Sequence, residues 1–159
     1  MDAKKPLIFG ASALMILMLA ANTSADELPK ELLLHCQGSA EVHITRANKT
    51  ERQKDRFDLT LRLRDGSIAN TEYNFLEGKN CALLGEVIRC EFSATAYNSE
   101  LDTTSQEHRA VTISRDTGEM HLSLETKTFD GTSTSGEPTA TITSSRTGVC
   151  HSAATQPLF

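Results

Sequence analysis

From Phe57 to Arg64 the chain alternates without a break. Phe57, Leu59, Leu61 and Leu63 are apolar, while Asp58, Thr60, Arg62 and Arg64 are polar or charged. Side chains on a strand point to opposite faces in turn, so this period of two predicts a strand with one buried face. The pattern recurs along the chain. Cys90, Phe92, Ala94 and Ala96 alternate with Arg89, Glu91, Ser93 and Thr95. Val111 and Ile113 lead into Asp116-Thr117-Gly118-Glu119, and Met120, Leu122 and Leu124 lead out. A two-residue Thr117-Gly118 loop would set Ile113 opposite Leu122 and Val111 opposite Leu124, all on one face.

Turn residues divide these runs. Asp65-Gly66-Ser67 reads as a three-residue loop, which would set Tyr73 against Leu59 and Phe75 against Phe57. Glu77-Gly78-Lys79-Asn80 reads as the next turn, and Asn98–His108 as a polar loop. Leu32–Gln37 and Ala40–Arg46 are two short strands separated by Gly38-Ser39, and Asn48–Lys54 is a short turn of helix. Thr132–Ser145 is rich in Thr, Ser, Gly and Pro, with a weak strand around Ala140 and Ile142.

The chain has four cysteines, and their placement selects a pairing. Cys81 to Cys90 reads as a hairpin with a two-residue Gly85-Glu86 loop, Gly standing first as a type II′ turn requires. Counting outward, Leu84 faces Val87, Leu83 faces Ile88, Ala82 faces Arg89, and Cys81 faces Cys90. Directly opposed cysteines meet disulfide geometry. Cys36 and Cys150 remain, and their bridge would join the two ends of the domain.

Disulfides imply an oxidising compartment, and the N-terminus agrees. Lys4 and Lys5 precede an uncharged apolar run from Leu7 to Ala21, and Thr23 and Ala25 stand at positions suited to cleavage. This is the layout of a secretory signal peptide. The run is shorter than the roughly 20 apolar residues a membrane span needs. The expected organisation is a signal peptide over residues 1–25, one all-β domain over 26–151, and a flexible tail over 152–159. About eight antiparallel strands joined by tight turns form a meander closed as a barrel or folded as a sandwich. The bridge between the ends favours the barrel, which also removes exposed sheet edges.

Residues 26–159 carry 14 basic and 20 acidic residues, a net charge of −6. Such acidity argues against nucleic acid as the main partner. The absence of Trp and the presence of only two Tyr argue against a membrane-spanning barrel with aromatic girdles.

Asp116-Thr117-Gly118 matches the triplet of retropepsin-like proteases, but Ser114, Arg115 and Glu119 flank it where a shielded carboxylate needs apolar neighbours. It reads as a hairpin turn. His35-Cys36 and Cys150-His151 could supply zinc ligands if reduced. Neighbours on a strand point to opposite faces, so the disulfide is the better reading. His43, His108 and His121 lack ligand-like spacing. No catalytic set, phosphate loop, metal site or cofactor motif emerges. Arg46–Arg64 holds seven basic and three acidic residues. Within it Lys54, Arg56, Arg62 and Arg64 share the outward face, a stripe suited to an anionic partner.

Cys36-Gln37-Gly38, the Arg115–Gly118 turn and the Gly148–Cys150 close look like small exported bacterial proteins of unknown function. In architecture the layout resembles the small β-barrel inhibitors of C-type lysozyme, which also tie first and last strands with a disulfide. That resemblance implies inhibition of a secreted hydrolase. The expectation from the residues themselves is a non-enzymatic domain, periplasmic or secreted, that binds a protein or glycan at the cell envelope. A barrel carrying a small apolar ligand is the other reading.

Overall fold

The protein, as a computed structural model, is described over residues 27–47 and 49–153. The expected signal peptide over residues 1–25 and residues 154–159 of the expected tail lie outside the described residues. Eight strands follow one another: β1 (Glu31–Arg46), β2 (Lys49–Arg64), β3 (Ser67–Asn70), β4 (Phe75–Leu84), β5 (Val87–Asn98), β6 (Thr103–Ser114), β7 (Glu119–Asp130) and β8 (Ala140–Ser152). Each pairs antiparallel with the next, and β8 returns to β1, closing an up-and-down barrel. The period of two gives each strand one face inside.

Both disulfides join the cysteines expected. Cys36 and Cys150 are register partners on β1 and β8 with Cα atoms 4.0 Å apart, and Cys81 and Cys90 are 4.1 Å apart. The β4–β5 hairpin keeps the expected pairs Leu84 with Val87, Leu83 with Ile88 and Ala82 with Arg89. A bulge follows between Lys79 and Ala82. Leu34, Leu61, Leu63, Ile68, Ile88 and Val111 fill one end of the barrel around Cys36, Cys90 and Cys150. At this closed end β1 begins, β8 ends, and three tight turns connect the strands.

Several local expectations are corrected. The loop after β2 has two residues, Asp65 and Gly66, both at positive φ, so Arg64 pairs with Ser67 and Leu63 with Ile68. A slip of one residue exchanges the faces. Ile68 and Asn70 therefore turn inward, and Tyr73 and Phe75 do not pair with Leu59 and Phe57. The chain turns instead at Thr71–Asn74, and Glu77–Asn80 lies within β4. The register of β6 and β7 sets Ile113 opposite Met120 and Val111 opposite Leu122. This shift of two residues keeps the expected faces.

β1 runs unbroken through Gly38 and Ser39, β2 begins at Lys49 where a helical turn was expected, and β6 begins at Thr103 inside the expected loop. β8 runs through Ser152, one residue into the expected tail. Gly38 is a close approach of two strands rather than a break: it faces Gly148, and a Cβ on either would collide with the opposite backbone.

Candidate functional site

The barrel wall is incomplete at its other end. β2 has 16 residues, but only Leu61–Arg64 pair with β3, which has four. β5 pairs with β4 no further than Glu91, while its pairing with β6 continues to Asn98. Among the described residues, Lys49–Leu59 of β2 and Phe92–Asn98 of β5 each have a strand on one side alone. A notch therefore opens above the Thr71–Asn74 turn, bounded by two strand edges.

The polarity of the β2 edge follows from one bond. Thr71 N–H donates to Thr60 O at 2.9 Å on the β3 side. Along an antiparallel strand both backbone groups of a residue point to one side, and the side alternates. Asp58, Arg56, Lys54 and Arg52 thus direct their N–H and C=O groups into the notch. Arg56 N–H is met there by its neighbour's side chain, Asp55 Oδ1 at 2.7 Å.

Behind the notch lies a cavity of about 510 Å³. Its floor is polar: Asn70 and Ser144 are buried, and Glu77 is buried within reach of two arginines. Arg109 Nη1 lies 3.1 Å from Glu77 Oε2, and Arg146 Nη1 lies 3.8 Å from Oε1. Arg109 also donates to Glu107 and stands 5.8 Å from the ring centres of both Phe75 and Phe92. Charges buried to this degree need partners, and each carboxylate here has one.

The rim is aromatic. Tyr73 is 67% exposed and Phe75 56%, with ring centres 6.5 Å apart. Tyr97 on β5 and Leu101 in the β5–β6 loop are also exposed. Tyr97 donates to Asp102 Oδ1 at 2.9 Å, and that bond to the carboxylate raises its phenol pKa. Exposed Tyr and Phe gathered around a recess are typical of binding surfaces.

The four cations singled out from the sequence do share the outward face of β2, and all are exposed. They divide into two groups. Lys54 and Arg56 stand on the notch edge. Arg62 and Arg64 stand where β3 covers the strand, beside Glu31 (3.6 Å) and Asp65 (3.3 Å) respectively. Arg52, not singled out earlier, belongs with the first group and forms an ion pair with Glu41, which also approaches Lys54 at 3.9 Å. The Arg52 bond, and after it the His43 bond, hold the Glu41 carboxyl at about 2.

The remaining motifs fall elsewhere. Asp116 is exposed in the β6–β7 turn, where Gly118 N–H donates to Ser114 O and Gly118 O accepts from Cys150 N–H. Cys36 and Cys150 point inside, so His35 and His151 face out, as strand alternation requires. Among the described residues no group of three or more His, Cys, Asp or Glu is placed to hold a metal ion. No described helix is long and apolar enough to cross a membrane.

The notch itself could not be read from the sequence. Its signal was the Asp65-Gly66 pair, a type I′ turn that fixes where β3 begins, but the early end of β3 depends on Thr71 reaching Thr60. Comparison with protein-family models, with curated proteins and with solved structures finds no match for this chain.

Proposed function

We propose that this is an exported binding domain whose partner is a protein, seated in the notch between β2 and β5. The single observation that carries the reading is the pair of open edges in a barrel otherwise closed. Unpaired strand edges are templates for another chain, and folds that leave them open without use risk aggregation. Exposed Tyr73 and Phe75 line the cavity mouth, and exposed Tyr97 stands on the open stretch of β5, so both sides of the notch supply apolar anchors. Two disulfides fit export to an oxidising compartment and keep the scaffold rigid while the rim does the recognising. The role assigned is recognition, and Glu77, the most buried carboxylate near the cavity, is held by Arg109 and Arg146 as part of the floor.

The test is site-specific photo-crosslinking in the cells that make the protein. A benzophenone side chain at Tyr73 or Tyr97 should yield discrete protein adducts. The same group at Leu84 or Val149, exposed toward the closed end, should not. Equal adducts from both ends, or none from the notch, would end the proposal.

A second reading rests on the cavity. Rings at the rim and amide, hydroxyl and charged groups at the floor suit a saccharide, whose faces stack and whose hydroxyls need partners. Glycan-array binding abolished by Tyr73→Ala would put this reading first.

A further inference from the structure

The notch has two sides of different chemistry, and this difference specifies a partner. Resting on the reading of the notch as a protein-binding site, we infer that the occupant is an extended acidic segment that adds to β2 as a strand. Its carboxylates would lie opposite Arg52, Lys54 and Arg56.

The backbone comes first. Arg52, Lys54, Arg56 and Asp58 aim their N–H and C=O groups at the open side, a row of alternate residues that an antiparallel guest strand would bond. At Arg56 the N–H is met by Asp55 Oδ1 of its own neighbour. A side chain there occupies the place of a ladder acceptor, and a guest carbonyl would replace it.

Side-chain chemistry then selects the guest. Residues that exchange backbone bonds stand directly opposite each other, and opposed like charges are unfavourable. The outward face of the open segment carries Arg52, Lys54 and Arg56, against Asp58 and, from β1, Glu41. Asp58 is itself occupied, accepting from Gln37 at 2.9 Å and lying 3.3 Å from His35. The residual charge is positive, so a guest should place Asp or Glu at alternate positions.

The same argument turns away a second copy of this chain. Antiparallel self-pairing about Lys54 sets Lys54 against Lys54 and Arg52 against Arg56. Every symmetric register centred from Arg52 to Arg56 brings cations together. Basic residues on an edge thus exclude the commonest wrong partner while admitting an acidic one.

The probe is a displayed library of random dodecapeptides, selected on the oxidised, processed protein. Selected peptides should carry acidic residues at alternate positions and should lose binding as salt rises. Lys54→Glu with Arg56→Glu should weaken them by at least about tenfold. Arg56→Pro deletes an N–H that faces the notch, a substitution edge strands tolerate, and should weaken them also. A thermal melt of each variant confirms the fold.

Peptides whose binding is lost in Tyr73→Ala but unchanged in both β2 variants would overturn the strand-addition inference and leave the notch reading standing. Peptides without alternating acids would do the same. A library yielding no binder sensitive to any notch substitution would overturn both. Sedimentation showing a dimer that Arg56→Pro dissociates would replace the acidic guest with a second copy.

Discussion

Arg109 Nη1 reaches Glu77 Oε2 at 3.1 Å and Leu76 O at 2.8 Å, so one guanidinium on β6 grips both a side chain and the backbone of β4. This grip crosses the barrel interior at the level where β4 and β5 no longer pair. It takes over part of what a continuous sheet would supply, and it fixes the lower lip of the notch.

Arg109→Met should therefore be costly. It would leave the Glu77 carboxylate, whose side chain is only 7% exposed, with Arg146 at 3.8 Å as its remaining ion-pair partner. Removing one member of a buried pair costs about 3–5 kcal/mol. Replacing both, with Glu77→Met added, should recover much of that loss. Urea denaturation of the oxidised single and double variants measures it, and additive losses would contradict the coupling.

Gly148→Ala tests the seam between β1 and β8. The new methyl would meet Gln37 O and, at 2.9 Å, the Phe57 ring. Backbone cannot move aside as a side-chain tip can, so a loss of about 1–3 kcal/mol or more is expected. Gly66→Ala meets no atom within 4 Å, though its positive φ still carries some strain. It should cost less in the same denaturation series.

Glu41 gives a pH signature. Its carboxyl sits at about 2, below its ordinary 4.5, first through the Arg52 bond and then through that of His43. A depressed carboxyl contributes stability above its unfolded pKa and loses it as pH falls through the folded one. The contribution should therefore fade between about 4.5 and about 2. Arg52→Ala should move the Glu41 midpoint back toward 4.5 in a carboxyl-carbon NMR titration. His43→Ala should move it less. An unmoved midpoint in Arg52→Ala would refute the assignment.

The two disulfides should contribute unequally. They close separations of 114 and 9 residues. Loop-closure entropy then gives about 5 kcal/mol for Cys36–Cys150 and about 3 for Cys81–Cys90. Paired Cys→Ala variants compared by chemical denaturation should show the first to be the more damaging.

The sequence was most legible where a turn and its flanking strands agreed. Gly85-Glu86 between Leu84 and Val87 placed every pair down to Ala82 and Arg89. At Asp65-Gly66 the ambiguity was whether Ser67 belonged to the loop or the strand. That one residue decided whether Ile68 or Ala69 faced the core, and local composition does not discriminate them. Glu77 was illegible for a different reason. Glu-Gly-Lys-Asn has turn composition, and its burial depends on Arg109 and Arg146, which the fold brings from distant strands. Gly38 misled because a glycine within a strand signals either a break or a close neighbour. The neighbour, Gly148, is visible only once β8 has been laid beside β1.

Both ends of the described chain leave the barrel beside each other: Leu34 is paired with Ser152, and Ala153 N–H donates to Leu33 O. That is the end away from the notch. A fluorophore, a surface linker or a fused enzyme attached through Glu27 or Ala153 would hang behind the barrel like a handle. An immobilised array of the protein would then present its gap uniformly to the solution, and sensor chemistry needs no engineered loop to achieve that orientation.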